Sequence, residues 1–210
     1  MVFPELFEEY KVLVRKADNA FKMMRQDYGS CIPCRIHCYD CCYAIFGLFL
    51  IEAVYINYHF HSLKGRERRE AIIQAEKMET ELLRVKDRIS IFDDDPKTKI
   101  YGVGKHRVRC PLLNDQKECI LYDHRPIACR LYGIPISING KASVCGKTEF
   151  RKGVAYPTFN LDTVYKELYR LSKELLEQAG SPYLEKAALL ISVSKAIRTP
   201  LTNLMEENFE

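Results

Sequence analysis

The sequence lacks the features by which secreted and membrane-spanning proteins are usually recognised. Its N-terminus has no basic start followed by an apolar run, so no secretory signal is expected. The most apolar stretch, residues 44–60, is interrupted by Glu52, Asn57 and His59. It is also shorter than the roughly 20 apolar residues that cross a bilayer. We therefore predict a buried helix there rather than a membrane span.

Signatures of several common activities are missing as well. We find no Ser/His/Asp arrangement, no phosphate-binding glycine loop and no dinucleotide fingerprint. The net charge is only +4, from 32 Lys and Arg against 28 Asp and Glu, and the two signs are interspersed. Nucleic-acid binders usually concentrate positive charge on one surface. The sequence thus indicates no nucleic-acid partner, and it does not decide whether the protein is an enzyme.

Cysteine is what the sequence has in quantity, with nine among 210 residues. An odd number without an export signal argues against a disulfide framework. The chain is also 47% hydrophobic, so it can build a core without cross-links. These observations predict a reducing, cytoplasmic location, where clustered thiols usually serve metal or redox chemistry.

The spacing of apolar residues predicts a mainly α fold. Apolar side chains recur every three or four positions in residues 3–28 and 66–89, as in amphipathic helices. Residues 43–61, between these two helices, should form a helix buried on most sides. The helix over 66–89 is expected to pack back on that buried neighbour.

The C-terminal third is predicted to be helical again. A stripe of apolar residues runs from Leu161 to Leu175, and Gly180 should end that helix. Ser181 followed by Pro182 is typical of a helix start. The pattern after it predicts a second helix that extends to about Ile197.

The β content is predicted to be small and irregular, combined with loops. Asn139-Gly140 lies between the β-rich runs 134–138 and 141–144, an arrangement typical of a two-residue hairpin. Residues 100–108 and 119–122 are expected to be short strands or extended loops.

We expect three segments that together form one compact unit. The first is an N-terminal amphipathic helix within residues 1–30. A cysteine-cluster domain follows in residues 31–150, and a helical segment occupies residues 151–210.

The first cysteine stretch holds five thiols within twelve residues, namely Cys31, Cys34, Cys38, Cys41 and Cys42. Thiolates are natural ligands of zinc and of iron–sulfur clusters. In one continuous helix the two ends of the stretch would lie about 15 Å apart. That separation is too large for one ion, since metal–sulfur bonds are only about 2.3 Å long. The stretch must therefore bend into a loop or serve two centres.

The second cysteine stretch has wider spacing. It contains Cys110, Cys119 and Cys129, and Cys145 follows the predicted hairpin. Gaps of this length are poor for a separate zinc knuckle, but they suit loops that fold over a centre formed elsewhere. Arg125 and Arg130 lie in this stretch and are expected to offset the negative charge around the cofactor.

Together the two stretches resemble the YkgJ-type cysteine-cluster family, zinc- or iron-chelating domains with a CxxCxxCC signature. Cys38-x-x-Cys41-Cys42 matches the end of that signature. The second stretch matches the pattern Cys-Pro-Leu, Cys-x-x-Tyr and Arg-Pro-x-x-Cys-Arg at Cys110, Cys119, Tyr122, Arg125, Pro126, Cys129 and Arg130. The early glutamate of the hydrophobic helix, Glu52, is also similar. The resemblance covers about residues 31–146 and implies metal binding rather than a particular reaction.

The resemblance identifies six cysteines more directly than the other three. The six are Cys38, Cys41, Cys42, Cys110, Cys119 and Cys129. The family's first cysteine would align with Arg35, and this chain has Cys34 and an additional Cys31 nearby. The role of Cys34 is therefore open, Cys31 is a candidate substitute, and Cys145 is a candidate to complete the set.

The ligand chemistry favours an iron–sulfur cluster, such as a 4Fe-4S centre, over zinc. Cysteines are in excess, two of them are adjacent, and histidine is scarce at ligand spacing. His37 and His124 are interpreted as neighbours of the site or surface residues. The preferred function is a cytoplasmic iron–sulfur protein for electron transfer, redox sensing or cluster-dependent chemistry. The alternatives are a structural zinc module whose helical surface binds a protein partner, and an enzyme with an open metal position.

Overall fold

Helices make up most of the structure, a computed structural model that describes residues 3–35, 37–92 and 106–206. The α-helices within these ranges are α1 (Pro4–Tyr28), α2 (Leu50–Ser62), α3 (Arg66–Phe92), α4 (Ile127–Leu131), α5 (Leu161–Gln178), α6 (Val193–Arg198) and α7 (Leu201–Glu206). Short 3-10 helices occupy Gly29–Cys31, Asp40–Tyr43, Tyr122–His124 and Leu184–Ala188. The predicted mainly α fold is confirmed.

A small three-stranded sheet supplies the β element. The central strand β1 (Ile136–Ile138) pairs antiparallel with β2 (Lys141–Ser143) and parallel with β3 (Phe159–Asn160). Asn139 and Gly140 join β1 to β2 with φ angles of 50° and 72°. A tight hairpin turn requires such positive angles, and asparagine and glycine tolerate them best. The predicted hairpin is confirmed, whereas β3 was not predicted.

Helix α1 follows its predicted pattern. Leu6, Tyr10, Leu13 and Ala17 lie on its buried face, which packs against α4 and α5. The helix ends at Tyr28, directly before the first cysteine stretch. Its position therefore fixes where that stretch begins.

Helix α2 is buried as predicted, but it begins at Leu50 rather than near residue 43. The preceding chain is extended because Leu48 pairs with Ile191: each backbone N–H donates to the other carbonyl, at 2.8 and 2.9 Å. Leu190 also packs tightly on Gly47, where an added Cβ would lie 2.4 Å from the Leu190 Cβ. This tertiary pairing prevents residues 44–48 from continuing the helix.

The same pairing explains why the predicted helix up to Ile197 is wrong. A 3-10 helix covers Leu184–Ala188, and the chain is then extended through Ile191. The side chain of Ser192 accepts a hydrogen bond from the N–H of Lys195 and caps a new, short helix, α6. The apolar residues of the predicted helix thus lie in two short elements, the 3-10 helix Leu184–Ala188 and α6.

Helix α3 packs mainly against α6, not back on α2 as predicted. The carboxylate of Glu79 accepts hydrogen bonds from the hydroxyls of Ser192 and Ser194, at 3.2 and 2.7 Å. These bonds fasten the start of α6 to α3. The cap at Ser192, which apolar spacing does not reveal, thus places α6 against α3.

Two other predictions are tested only in part or not at all by the described residues. Most of residues 100–108, predicted to be short strands or extended loops, lies outside the described residues, and residues 106–108 form neither helix nor strand. The hydrophobic core contains residues from all three predicted segments, for example Leu6, Leu112 and Leu171. The division at residues 30 and 150 stays a prediction.

Within the described ranges, no helix combines the length and hydropathy that crossing a membrane would require. This agrees with the prediction for residues 44–60.

Asn57 provides a test of the packing of α2. Its buried side-chain amide donates to the carbonyls of Ala196 and Thr199 at 2.8 and 2.9 Å. We expect Asn57→Ala to lower the free energy of unfolding by about 1–3 kcal/mol, because two carbonyls lose their donor. Urea unfolding would measure the change. The exposed Gln178→Ala should change it by less than about 0.5 kcal/mol, and equal effects would contradict the assigned role of Asn57.

Candidate metal centre

Seven of the nine cysteines line one cavity of about 940 Å³. They are Cys34, Cys38, Cys41, Cys42, Cys110, Cys119 and Cys129. All nine are free thiols. The cavity walls come from α1, α4 and both cysteine stretches, so the fold brings the two stretches together. Cys31 and Cys145 are not among the lining residues.

The first stretch reaches the cavity by bending rather than by forming one helix. Its ends are the 3-10 helices Gly29–Cys31 and Asp40–Tyr43, and the described residues between them form neither helix nor strand. His37 has a φ of 68°, an unusual angle that turns the backbone between Cys34 and Cys38. The loop expected from the spacing argument is therefore present.

The second stretch is tied to the first through the backbone. The N–H of Cys110 donates to the carbonyl of Cys42 at 2.7 Å, and the N–H of Val108 donates to Tyr43 at 3.1 Å. An antiparallel bridge between Leu113 and Cys119 then folds the chain back. Cys110 and Cys119 thus face the cavity beside Cys42.

Helix α4 carries Cys129 and is held by a buried carboxylate. Glu52, only 4% exposed in α2, accepts hydrogen bonds from the N–H of Ile127 at 3.0 Å and of Phe49 at 3.2 Å. Burial raises the pKa of Glu52 to about 7, although the bonds from Ile127 and Phe49 oppose that shift. The nearby Tyr10 hydroxyl also lowers this pKa, yet it makes no hydrogen bond of good geometry among the described residues.

We define the inner thiols as Cys41, Cys42, Cys110, Cys119 and Cys129. The pKa of Cys41 is lowered by its side-chain interactions with Cys129 and Cys42 and by the charge of Arg125. The interaction with Cys41, followed by burial, raises the pKa of Cys42 and Cys129. Burial raises the pKa of Cys110 to about 12 and also raises that of Cys119. A bound metal would replace these protons, since thiolate is the ligating form.

We define the outer thiols as Cys34, Cys38 and Cys145. The Cys34 thiol donates to the carbonyl of Tyr132 at 3.6 Å. It occupies the space that a side chain at Gly133 would fill, because a Cβ there would lie 2.4 Å from the Cys34 Sγ. Burial, followed by the charges of Cys38 and Cys145, raises the pKa of Cys34 to about 12.

Asp40 joins the Cys145 thiol to the surrounding chain. Its Oδ1 contacts Arg107 Nη2 at 2.7 Å and Lys147 Nζ at 3.1 Å. Its Oδ2 accepts hydrogen bonds from the Tyr132 hydroxyl at 2.8 Å and the Cys145 thiol at 3.5 Å. Burial opposes ionisation, but the Tyr132 hydrogen bond and the two cations outweigh it and lower the pKa of Asp40.

The two predicted arginines both line the cavity but differ in their contacts. The Arg125 guanidinium lies 3.7 Å from the centre of the Tyr122 ring, and its charge lowers the pKa of Cys41 and Cys119. Arg130 is buried and donates to both carboxylate oxygens of Asp18, at 3.0 and 2.8 Å. Arg125 is thus the cation directed at the thiols, whereas Arg130 mainly ties α4 to α1.

The histidines contribute little to the cavity. His37 lines it, and its Nδ1 lies 3.6 Å from Glu118 Oε1. His124 instead stacks on His59, with the ring centres 3.5 Å apart, and is not a lining residue. Seven thiols thus outnumber the other potential ligands in the cavity lining, Asp18, His37 and Glu118.

Sequence reasoning did not identify Asp40, Tyr132 or Gly133 as parts of the site. Asp40 lies directly before Cys41 of the signature, and that position was the only feature of the sequence that could have identified it as part of the site. Nothing in the pattern marks Tyr132 or Gly133, because their roles come from contacts with the distant Cys34 and Cys145.

Metal ligation would require the thiols to rotate. No three Cys, His, Asp or Glu side chains in the described part of the chain are already posed around one point as ligands. A cysteine side chain has three staggered positions about χ1, and the cavity has room for such rotations. The donor set, seven thiols at one cavity, fits zinc or an iron–sulfur cluster.

Comparison with known proteins gives one match. The family model CxxCxxCC, described as "Putative zinc- or iron-chelating domain", matches residues 33–146, more than half of the chain. No curated protein and no solved structure matches the chain.

The buried proton of Glu52 should make stability depend on pH. The folded state binds this proton more tightly than the unfolded chain, so the contribution of Glu52 falls as pH rises from about 4.5 to about 7. We expect wild type to lose stability relative to Glu52→Gln across this window, by up to about 1.4 kcal/mol per pH unit. Urea unfolding at several pH values would measure it, and parallel curves would contradict the assignment.

Asp40→Ala tests the polar network around the outer thiols. Removing the carboxylate leaves Tyr132, Arg107 and Lys147 without their shared acceptor, so we expect a loss of about 3 kcal/mol in unfolding free energy. The Cys145 thiol should also react faster with iodoacetamide. The control is Asp115→Ala, which removes an exposed contact with Arg109 and should cost less than about 1 kcal/mol. Unchanged stability and thiol reactivity in Asp40→Ala would refute this role.

Proposed function

The chain belongs to the CxxCxxCC family of zinc- or iron-chelating domains, and from that premise we propose that its inner thiols hold an iron–sulfur cluster. The observation that carries the proposal is the convergence of five thiols from both stretches on one cavity. Four thiolates suffice for a 4Fe-4S cluster. The inner thiols can therefore supply a full ligand set without histidine.

Charge around the inner thiols supports this assignment. Ligating thiolates accumulate negative charge, and the Arg125 guanidinium already lowers the pKa of Cys41 and Cys119. Hydrogen bonds and nearby charges are among the features that set the potential of a cluster. Arg125 is therefore positioned to stabilise the cluster and to tune its potential.

We infer a cytoplasmic role in electron transfer, redox sensing or cluster-dependent chemistry. The cavity is bounded at one side by Tyr122, whose side chain is 57% exposed. A cluster beside such an exposed side chain would lie near the protein surface, where an electron donor or a small oxidant could reach it. Nine free thiols also suit a reducing compartment.

A structural zinc module is the second candidate. Ile73 and Leu83 are exposed on α3, at 53% and 60%, and exposed apolar side chains on a helix can contact a protein partner. In this case zinc bound by four inner thiols would stabilise the fold, and the helical surface would carry the function.

Anaerobic purification followed by iron, sulfide and zinc analysis distinguishes the two candidates. We expect about four irons with matching sulfide per chain and a broad absorption band near 400 nm, as for a 4Fe-4S cluster. Cys129→Ser should lose the band and most of the iron. Cys31→Ser is the matched control, because Cys31 does not line the cavity, and it should keep both.

The alternative outcomes are equally informative. Stoichiometric zinc without a visible band would refute the cluster and support the structural module. Equal loss of iron in both variants would show that Cys129 has no special role.

A further inference from the structure

We propose that a second cavity, beside the cysteine-lined one, binds a small anionic molecule through a phosphate or carboxylate group. Its volume is about 450 Å³, and its polar lining includes Lys11, Arg15, Asp18, His124, Arg125 and Arg130. We call it the basic cavity. Arg125 and Arg130 also line the cysteine cavity, so a molecule bound here would lie next to the metal centre. Binding of the anion does not depend on which metal the cysteines hold.

One face of α1 forms the first wall. Lys11, Arg15 and Asp18 are spaced by four and three residues, which places their side chains on the same side of a helix. Lys11 pairs with Glu8 at 2.7 Å, but both side chains are exposed, and such pairs contribute little to stability. Among the described residues Arg15 has no ion-pair partner, although its charge, after the stronger effect of Lys11, lowers the pKa of Glu8. This wall therefore presents two cations that an anionic ligand can engage.

The second wall contains Arg125, which follows the 3-10 helix Tyr122–His124. Its Nε donates to the carbonyl of Tyr122 at 2.9 Å, and its guanidinium lies 3.7 Å from the centre of the Tyr122 ring. In the described part of the chain no acceptor is bonded to its terminal nitrogens, and no carboxylate pairs with it. The guanidinium is thus held in place while its Nη atoms stay available, which limits the entropy lost when a ligand binds.

Arg130 joins the two walls. Its Nη1 donates to both carboxylate oxygens of Asp18, at 3.0 and 2.8 Å, and its Nε donates to the carbonyl of Arg125 at 2.7 Å. Its Nη2 donates to the carbonyl of Asp123. The side chain of Arg130 is only 7% exposed, so these bonds are shielded from water. The ion pair compensates the charge of Asp18, and the separation of the two walls is set before a ligand binds.

The charge of the lining favours an anion. Four basic side chains line the cavity, against two acidic ones, Asp18 and Asp123. Glu8 lies outside the lining but adds a third negative charge beside Lys11. Four positive charges against three leave a surplus of one, and Asp18 is already paired with Arg130. A ligand with one or two negative charges therefore complements the cavity.

Two imidazoles at this wall register the positive charge. The His124 ring lines the cavity and stacks on His59, with the ring centres 3.5 Å apart. Burial, followed by the charges of His124 and Lys11, lowers the pKa of His59 to about 4. Burial also lowers the pKa of His124, where Asp123 opposes the shift and Arg130 and Lys11 add to it. A bound anion would offset this excess of positive charge.

The donors define the class of ligand. A guanidinium presents two parallel N–H groups that match two oxygens of a phosphate or carboxylate. Arg15 and Arg125 supply guanidiniums from the two walls, and Lys11 adds a third cation. A cavity of about 450 Å³ lies within the range that accommodates small molecules. Since Arg125 borders both cavities, the anionic group would be fixed at the edge of the metal site.

Calorimetric titration with inorganic phosphate, at constant pH and ionic strength, tests the site in the anaerobically purified protein. We expect one equivalent to bind, and Arg15→Gln to weaken binding roughly 10-fold, because a charge-assisted contact is lost. Lys16→Gln is the matched control, since it removes a neighbouring exposed cation of α1 that does not line the cavity, and it should bind phosphate as wild type does. Titration with acetate distinguishes a carboxylate ligand from a phosphate ligand.

The same variants separate this site from the metal centre. Iron, sulfide and zinc contents should be equal in Arg15→Gln and wild type. If wild type lacks iron and sulfide, the iron–sulfur proposal fails, whereas phosphate binding that still depends on Arg15 would support the basic cavity. Failure of both anions to bind at millimolar concentrations, or equal affinities in Arg15→Gln and Lys16→Gln, would overturn the anion site.

Asp123→Asn provides a test in which affinity should rise. Its carboxylate lines the cavity and has no ion-pair partner among the described residues, so its removal should strengthen phosphate binding roughly 3- to 10-fold. Asp27→Asn removes an exposed carboxylate of α1 outside the cavity and should leave the affinity unchanged. A damaged fold would not bind phosphate more tightly, and unchanged or weaker binding by Asp123→Asn would contradict the proposed site.

Discussion

One backbone hydrogen bond, from the N–H of Cys110 to the carbonyl of Cys42, joins the two halves of the site. The two residues are 68 positions apart in the numbering, and helices α2 and α3 lie between them in the chain. Thiol ligands must come within a few ångströms of a common centre, since metal–sulfur bonds are about 2.3 Å long. The fold therefore has to bring distant loops together before any metal can bind. Much of its architecture can be understood as support for that contact, beginning with α1, which delivers the first stretch, and α2, which holds α4.

The support supplied by α2 has an energetic cost. A carboxylate at Glu52 is buried in a mostly apolar helix, where desolvation raises its pKa. The same carboxylate satisfies the N–H groups of Phe49 and Ile127, at the starts of α2 and α4. An unpaired N–H in this environment would itself be unfavourable. A single side chain thereby orients two helices, one of which carries Cys129.

The sequence predicted the parts of the structure that depend on local pattern. Amphipathic spacing identified α1, and Asn139-Gly140 identified the hairpin, because each pattern depends on neighbours in the chain. The same reasoning failed where a distant contact decided the outcome: the pairing of Leu48 with Ile191 shortened one predicted helix and interrupted another. The cysteines could be listed from sequence, but which of them line the cavity could not. For Cys34 that depends on the open space beside Gly133, a distant contact that no spacing rule reveals.

The first cysteine of the motif is shifted in this chain, and the structure places its thiol at the cavity. The family pattern would place a thiol at position 35, where this chain has arginine, and Cys34 lies one residue earlier. In a regular helix or strand, a shift of one residue would turn the side chain away from its original direction. Here the segment is a loop with an unusual φ at His37. Its side chains therefore need not follow the 3.6-residue period of a helix or the two-residue period of a strand. Gly133 then provides the space into which the displaced sulfur fits. An irregular loop and a missing side chain together allow the Cys34 thiol to line the cavity.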